Sequence, residues 1–529
     1  MRTSPPPVRC RRVLFACALV LCLAPLIALP ARATTAAAAS TSVPGRDELV
    51  AQLLKVGDEW FGLYVLGQKA GSMFTSAKIS ERDGRPVLVT SQLTVLNASV
   101  GKNKVMRQVR GERVYELTGE GRLVFFREER VGDGGDESFI GHCAPQGVRL
   151  VRQAKGQAPQ EMTLAATREN IDDALAALRV LRTGQPHEGR AFDLSHLMAD
   201  KRVTTSLASR RNQTIDGVET VLTELSLVEA DSRVAQSALM TPEGRTIEIR
   251  YGNVLTAKSE PREVAERQGH VDVFGTTRIV LGGTATPDQK LSADARRAPS
   301  RVVYEIDGLP KDYWTSNGWQ RFSPVASDNP GRVTLAVTAM APQKALTLPL
   351  APAQIAAHHL DEWLRPTLAV ESQAPDIVAL TQKTLGQTTD AFEAVEKLTR
   401  FVYRFLKKSY GVSSDRATRV LALKEGDCTE HALLFTAMAR AAGIPARRIN
   451  GLVYMDSDDG VPSLYWHEWV EVFVGEWVPV DPTFDQSVAD TGHLAFGVEG
   501  QNDVAALFGQ LRIKVLKVEK PTSKPLPIP

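Results

Sequence analysis

Apolar and polar residues alternate along much of the first 270 residues. Three such runs, each after a turn signal, are Val87, Val89, Leu93 and Val95; Val221, Thr223, Leu225 and Leu227; and Ile247, Ile249 and Tyr251. A period of two places one set of side chains on one face of a strand. One-sided alternation is typical of antiparallel sheets that pack one face on a core. The pattern therefore predicts a mainly antiparallel, β-rich N-terminal region.

A single helix is expected within this region. Its apolar face consists of Ile171, Leu175, Leu178 and Leu181. Thr167 is a suitable N-terminal cap, and Gly184 follows the last turn, where glycine often ends a helix. We expect this helix to cover one face of the sheet. A later helical spacing is formed by Val395, Leu398, Val402 and Phe405. It predicts that the final third of the chain combines helices with strands.

The composition is that of a folded globular protein. Of 529 residues, 43% are hydrophobic and 23% are charged, close to globular averages. The 63 basic residues against 61 acidic ones leave no basic excess. An electrostatic nucleic-acid interface is therefore not expected.

The N-terminus has the order of a secretory signal. Several arginines precede an apolar run over residues 13–29, and Ala31-Arg32-Ala33 follows it. Cleavage after Ala33 removes five arginines and leaves 58 basic against 61 acidic residues. The alternative is an uncleaved anchor, although Pro25 interrupts the run. We expect an exported protein, periplasmic or extracellular, with no transmembrane span after cleavage.

These patterns divide the chain into six parts, with the main boundary near residue 366. They are a signal peptide (1–33), a linker (34–45), a β-rich N-terminal domain with one covering helix (46–270), a second β-rich segment with an Ala/Pro-rich linker (271–365), a C-terminal domain of helices and strands (366–518) and a Pro-rich tail (519–529). The predicted fold class is α+β.

Two cysteines remain after the predicted cleavage, because Cys10, Cys17 and Cys22 lie in the signal. Cys143 and Cys428 can form a disulfide in an exported protein, or one of them can be a free nucleophile.

Cys428 stands at the predicted start of a helix. Asp427 is a suitable N-cap, Glu430 completes a capping-box pattern, and the helix is expected to stop at Gly443. The unpaired N–H groups and the positive dipole end of a helix N-terminus favour a thiolate. The alternative is that Cys428 is a small buried apolar residue, as most lone cysteines are.

A downstream hairpin is predicted to carry a histidine and an aspartate. Residues 465–474 and 477–482 are expected to be its paired strands. A two-residue loop would place His467 and Asp481 on opposite faces, whereas a three-residue loop over 474–476 would make them diagonal neighbours on one face. A cysteine, a histidine and an aspartate in this order suit acyl transfer, because the imidazole moves the thiol proton and the carboxylate orients the imidazole.

Four ordered segments resemble the successive motifs of the transglutaminase-like superfamily. They are Gly426-Asp427-Cys428-Thr429-Glu430-His431, Arg440-Ala441-Ala442-Gly443-Ile444-Pro445-Ala446-Arg447, His467-Glu468-Trp469-Val470-Glu471-Val472 and Trp477-Val478-Pro479-Val480-Asp481-Pro482-Thr483. The resemblance covers about residues 376–485 and implies a papain-like α+β fold with Cys428, His467 and Asp481 as a catalytic triad. Glu468 departs from the alanine that often follows the histidine in this family. The family's upstream oxyanion side chain is not located, which leaves the Cys428 backbone N–H as the donor.

Three further residues are candidates for a supporting role at this site. We expect Asp427 and Glu430 to cap the helix rather than to take part in catalysis. We expect His431 to be a structural hydrogen-bonding residue rather than a second base. The acidic turn at 456–460 resembles a calcium loop, but its twelfth position is His467 rather than an acid. We expect no metal site and no cofactor.

Two functions from different classes remain open. The resemblance implies an exported cysteine enzyme that opens an amide of a protein or peptide, such as a cell-envelope component, through a thioester. Water as acceptor makes it a peptidase or amidase, and an amine makes it a transglutaminase; hydrolysis is slightly favoured because no calcium-dependent regulation is visible. The alternative is a non-catalytic binding or assembly protein whose β-rich region engages a cell-envelope ligand.

Overall fold

The computed structural model describes residues 44–519, with internal gaps at 101–102, 133–135, 157, 195–197, 216, 231–235, 283–290, 292–300, 326–330, 342–345, 368, 410–413, 415, 458 and 500–503. The predicted signal peptide, the linker up to residue 43 and the tail from residue 520 lie outside the described residues. Among the helices that are described, none is long and apolar enough to cross a membrane.

Most of the N-terminal half belongs to one large sheet. Its strands in the described part of the chain are β1 (Glu59–Val65), β2 (Gln68–Arg82), β3 (Arg85–Val100), β4 (Asn103–Glu116), β5 (Leu123–Gly132), β6 (Glu137–Ala144), β7 (Gly147–Ala154), β8 (Gln160–Leu164), β9 (His187–Asp193), β10 (Met198–Ile215), β11 (Val218–Glu229), β12 (Gln236–Met240), β13 (Thr246–Tyr251), β14 (Leu255–Ser259) and β15 (Val271–Asp272). The order is β8-β7-β6-β5-β4-β3-β2-β1-β14-β13-β12-β11-β10-β9, and β15 lies parallel to β3. All other neighbours are antiparallel, as the alternation predicts.

The predicted core faces of the strands are correct in the third run and in most of the second, in which Val221 is exposed, and wrong in the first. Leu225 and Ile249 lie in the main core, as predicted. In β3, however, the main core takes Leu88 and Leu96, whereas Val87 and Val89 belong to a small separate cluster with Val114. Strand β3 is apolar on both faces, so its alternation does not show which face is the main core.

The helices of this region differ from the single helix that was predicted. They are α1 (Arg46–Val56), α2 (Ile171–Ala174), α3 (Ala176–Thr183), α4 (Arg262–Ala265) and α5 (Val273–Thr277). The predicted helix is broken at Leu175, and its cap is Asn170, which accepts a hydrogen bond from the N–H of Asp172 at 2.8 Å. Thr167 instead accepts from the N–H of Glu169. The predicted apolar face is buried, and Gly184 ends α3 in the left-handed conformation, as predicted.

The remaining strands form two more sheets and a short parallel pair. The second sheet has the order β16 (Ile279–Val280), β23 (Ser463–Phe473), β22 (Ala446–Met455) and β25 (His493–Val498), with β24 (Trp477–Val480) also paired to β23. The third has the order β18 (Gln320–Pro324), β19 (Val333–Thr338), β17 (Arg301–Asp307) and β26 (Arg512–Glu519). The short pair is β20 (Lys407–Lys408) with β21 (Glu425–Gly426).

The later helices pack on and around the second sheet. They are α6 (Pro352–Ala357), α7 (Pro375–Leu385), α8 (Ala391–Phe405), α9 (Ala417–Leu423) and α10 (Cys428–Ala441), with 3₁₀ turns at Lys311–Tyr313, Asp361–Trp363 and Val504–Leu507. Val395, Leu398 and Val402 of α8 are fully buried against α10 and the strands β23 and β24, as their spacing predicts. The chain is thus β-rich, with its longest helices gathered around α10.

Strand pairing joins the two sides of the predicted boundary near residue 366. Strand β26 pairs with β17, which comes from the predicted second segment, and β16 from the same segment pairs with β23. The Tyr304 hydroxyl also donates to the carbonyl oxygen of Thr491 at 2.9 Å. The strands before this boundary therefore support the sheet that carries the candidate site.

Candidate active site

Cys428 is the first residue of α10, and the predicted capping box is present. The Asp427 carboxylate accepts from the N–H of Thr429 at 2.9 Å, and Glu430 accepts from the N–H of Asp427 at 2.9 Å. Glu430 also accepts from the N–H of Ser414 at 3.0 Å. Asp427 and Glu430 therefore fix the helix start that presents Cys428.

Gly426 is required by the close approach of this cap. A Cβ atom at residue 426 would lie 2.3 Å from the Cβ atom of Glu430, well inside van der Waals contact. A side chain at this position would displace Glu430 and loosen the turn before Cys428.

The hairpin has the three-residue loop that brings His467 and Asp481 together. Phe473 pairs with Trp477, the register that a loop over 474–476 requires. His467 Nε2 lies 2.7 Å from Asp481 Oδ2, and both side chains are fully buried. Asp481 Oδ1 accepts from the N–H of Thr483 at 2.7 Å. The carboxylate thus holds its side of the imidazole ring.

The other ring nitrogen of His467 is left for chemistry. Nδ1 is buried and has no hydrogen-bond partner among the described residues. Because Nε2 faces the Asp481 carboxylate, Nδ1 is the ring nitrogen that is available to another group. The N–H of the next residue, Glu468, donates to the Cys428 sulfur. The Cys428 thiol therefore lies beside the strand that carries His467.

Two effects act in opposite directions on the Cys428 thiol. The helix N-terminus favours a thiolate, but Cys428 is fully buried. Burial raises the pKa of the thiol well above its ordinary value, and the negative charge of Asp427 adds to this rise, while the Glu468 N–H opposes it. Burial is the larger effect, because an enclosed thiolate loses its hydration. Cys428 in this structure is a neutral thiol that needs a base, and not the preformed thiolate that its helix position suggests.

A second histidine, His493, also contacts Asp481, and the sequence motifs do not include it. His493 Nε2 lies 3.1 Å from the same Oδ2 atom that His467 contacts. Burial by itself would raise the pKa of Asp481, but the charges and hydrogen bonds of both histidines hold it far below its ordinary value. Asp481 is therefore ionised throughout the physiological range.

His431 has the hydrogen-bonding role expected for it, with one atom left over. Its Nδ1 donates to the Asp427 carbonyl oxygen at 2.6 Å. Nε2 is buried and unpartnered among the described residues. Burial lowers the pKa of His431 to about 4, so the side chain is neutral. It is an uncharged polar side chain one turn after Cys428 on the same helix.

Glu468, the departure from the family pattern, is satisfied by an arginine. Its carboxylate accepts from Arg448 at 3.2 Å. Burial raises the pKa of Glu468 to about 7 even though Arg448 opposes this rise. Its side chain is thus held away from the imidazole, and its backbone N–H remains beside Cys428.

The cysteines and the titratable cluster bear on two further expectations. Both Cys143 and Cys428 are free thiols, and burial raises the pKa of Cys143 to about 12. The ligand-type atoms of His467, Asp481 and His493 lie within 4.8 Å of one another, close enough for a metal ion to bridge. Hydrogen bonds to the shared Asp481 oxygen already account for this grouping.

The family model of the transglutaminase-like superfamily matches residues 378–482, which include all three candidate catalytic residues. These residues form a transglutaminase-like domain. The match spans about a fifth of the 529-residue chain, and His493 lies beyond it. No protein of curated function matches the chain.

Three solved structures are similar to parts of the chain. A candidate cysteine protease from Cytophaga hutchinsonii is 18% identical over 42% of this chain and 86% of its own, with a TM-score of 0.28. The periplasmic domain of TgpA from Pseudomonas aeruginosa is 15% identical over 45% and 81%, with a TM-score of 0.26. A β-barrel-like domain of unknown function from Brucella abortus is 9% identical over 38% and 94%, with a TM-score of 0.29. These likenesses are too remote to assign an activity.

Proposed function

We propose that this chain is an exported cysteine-dependent acyl-transfer enzyme that opens an amide bond of a protein or peptide through a thioester on Cys428. The observation that carries the proposal is the His467 imidazole. It is bonded to Asp481 through Nε2 at 2.7 Å and has an unpartnered Nδ1 on the strand that contacts the Cys428 sulfur.

The reaction follows from these contacts. His467 Nδ1 takes the Cys428 proton as the sulfur attacks the amide carbonyl, and Asp481 stabilises the resulting imidazolium. The Cys428 backbone N–H, at the first helical position, donates to the developing oxyanion. When the carbon–nitrogen bond breaks, His467 returns the proton to the leaving amine and a thioester remains. Water or an amine then loses a proton to His467 and displaces Cys428.

Access to the site requires local movement. All three catalytic candidates are fully buried, and the Phe484 ring packs 5.1 Å from the His467 ring. Phe484 is partly exposed, so it separates the imidazole from solvent. A substrate must therefore displace covering side chains such as Phe484 before the sulfur can reach its carbonyl.

The experiment treats the purified chain with iodoacetamide across pH and reads Cys428 and Cys143 separately by mass spectrometry. We expect Cys428 to react faster than Cys143, which lies in the N-terminal sheet away from His467, and to lose this advantage in His467→Ala. A glutamine-containing peptide mixture in ¹⁸O-water with a dansylated amine then distinguishes hydrolysis, seen as ¹⁸O incorporation, from amine transfer. Cys428→Ala should abolish either product. An unreactive Cys428 with no Cys428-dependent product would contradict the proposal.

The alternative, a binding role for the large sheet, is favoured by a cavity of about 230 Å³. Thr75, Thr90, Gln92, Gly111 and Arg113 are among its lining residues. The cavity is smaller than the roughly 300–1,000 Å³ of most small-molecule sites, so the enzyme function is preferred. If Cys428→Ala leaves every phenotype of the protein unchanged, the binding role replaces it.

A further inference from the structure

His493 occupies a place that the candidate triad does not explain. It is the first residue of β25, is fully buried, and lies beyond the residues matched by the family model. Its ring is 6.1 Å from the His467 ring and 5.2 Å from Trp469, centroid to centroid. A titratable side chain at the centre of the site therefore has no role in the steps above.

Both ring nitrogens of His493 face oxygen acceptors. Nε2 is 3.1 Å from Asp481 Oδ2, and Nδ1 is 3.1 Å from the Asp490 carbonyl oxygen and 3.3 Å from Asp490 Oδ1. A neutral imidazole has one N–H donor, so one nitrogen would present its lone pair to an oxygen. A doubly protonated ring satisfies every contact. The geometry requires an imidazolium.

We propose that His493 is a positioning residue of this site, an imidazolium at neutral pH that fixes Asp481 and keeps His467 in the neutral form that accepts the Cys428 proton. This role rests on the proposed acyl-transfer function. His493 acts through Asp481 and touches neither the thiol nor a substrate in the steps above.

The charges around His493 support a stable positive charge. Asp481 and Asp490 face it from either side, and the His467 ring faces it from β23. Strand β22 presents the uncharged Val453 opposite it, and β17 presents the Tyr304 hydroxyl, which donates to the carbonyl oxygen of Thr491. Burial would lower the pKa of His493, but the two carboxylates raise it to about 9.

The strand that carries His493 is held at both ends by residues outside the transglutaminase-like domain. Tyr304 bonds Thr491 on one side of it. On the other side, the Gln320 amide donates to the Ala495 carbonyl oxygen at 2.9 Å and accepts from its N–H at 3.0 Å. The third sheet thus fixes the position of the imidazolium.

The charge has a defined consequence for His467. With His493 positive, the negative charge of Asp481 is largely balanced, and protonation of His467 would place two imidazolium ions on one carboxylate. Without that charge, Asp481 attracts a proton onto His467 more strongly. His467 then stays protonated, and unable to accept the thiol proton, up to a higher pH. Because burial holds Cys428 as a thiol, the acid limb of its reactivity reports this change.

The test uses His493→Gln, which keeps a donor toward Asp481 and removes the charge. We expect the acid limb of the Cys428 alkylation rate to move up by about one pH unit or more, the usual size of a neighbouring-charge effect. The matched control is His187→Gln, since His187 contacts the buried Asp173 at 3.0 Å in the N-terminal region. In this variant the acid limb of the Cys428 alkylation rate should not move. A rate that falls equally at every pH, with an unmoved limb, would show a merely structural role.

A second measurement does not depend on reactivity. Nitrogen NMR of the ¹⁵N-histidine-labelled wild-type chain at pH 7 should show two protonated ring nitrogens for His493, identified by signals that disappear in His493→Gln or shift in Asp490→Asn. A neutral tautomer there would overturn the inference. If Cys428 proves inert while His493 is doubly protonated, the proposed function fails and the assigned charge of His493 stands. This separates the two failures even if His493→Gln does not fold.

Discussion

Two of the buried carboxylates, Glu169 in the N-terminal region and Asp481 in the transglutaminase-like domain, lie in clusters that differ in what is left unpaired. In the first, Glu169 accepts from Arg113 at 3.0 and 3.1 Å, from the Tyr115 hydroxyl at 2.6 Å and from the Phe192 N–H at 2.7 Å. In the second, Asp481 is equally well satisfied, but His467 Nδ1 has no partner among the described residues.

The difference shows how a structural cluster is told from a candidate reactive one. Both carboxylates are buried, so both need several donors. Around Glu169 the donors are used up, and burial and the Glu169 charge raise the pKa of the nearby Cys143 thiol to about 12. Around Asp481, the Nδ1 atom of His467 has no partner among the described residues, and the strand that carries it packs against the helix of Cys428. Buried polar atoms without a partner occur in both regions, so the distinguishing feature of the second cluster is an unpartnered imidazole nitrogen on a ring that is bonded to a carboxylate.

The largest effect is expected from a substitution of His467 in the cluster around Asp481. His467→Gln removes the vacant lone pair, and we expect the rate of the Cys428-dependent reaction found with the peptide mixture to fall about 10⁴-fold or more. The same change at His187, in the N-terminal sheet, should leave that rate unchanged. Comparable losses in both variants would show that the two clusters do not differ in function.

The next largest effect is expected from a substitution of Glu169 in the N-terminal cluster. Glu169→Ala leaves the Arg113 charge buried without its partner, and we expect the free energy of unfolding in urea to fall by about 3–5 kcal/mol. The rate per folded molecule should stay the same. Glu116→Ala is the control, because Glu116 pairs with the more exposed Arg122 at 3.3 Å and should cost about 0–1 kcal/mol. Equal losses would contradict the difference in burial.

His493 gives the reactive cluster a pH dependence of stability. Its pKa rises on folding from 6.5 to about 9, so folding binds its proton more tightly. The stabilisation is complete below pH 6.5 and is lost as the pH rises through 9; its size is about 3 kcal/mol, from 1.36 kcal/mol per pKa unit. Urea unfolding of wild type and His493→Gln should therefore converge as the pH rises from 6.5 to 9. A constant difference would argue against a charged His493.

The smallest effect compares single hydroxyls in the two regions. Tyr115→Phe removes a hydrogen bond to a carboxylate and should cost about 2 kcal/mol, whereas Tyr304→Phe removes one to a neutral carbonyl and should cost about 1 kcal/mol. Urea unfolding at pH 7 measures both. The reverse order would mean that Glu169 compensates for the loss through its other donors.

The helix start at Cys428 and the hairpin that carries His467 and Asp481 were predicted from the sequence. The capping box at Asp427 and Glu430 depends on residues three apart and was predicted, whereas the sequence left two loop lengths open and only the structure shows the loop that brings His467 to Asp481. The break at Leu175 and the helix Arg46–Val56 were missed. The second had usable signals, with acids in its first turn and Gly57 after its last.

The sequence by itself determined the helix that presents Cys428, the hairpin that carries His467 and Asp481, and the antiparallel character of the N-terminal region. Each depends on neighbours along the chain. Only the tertiary structure decided that Cys428 is a buried neutral thiol and that His493 shares Asp481. Burial and shared contacts depend on strands distant in sequence, such as β17 and β26, because the solvent and charge around a group are set by everything packed against it.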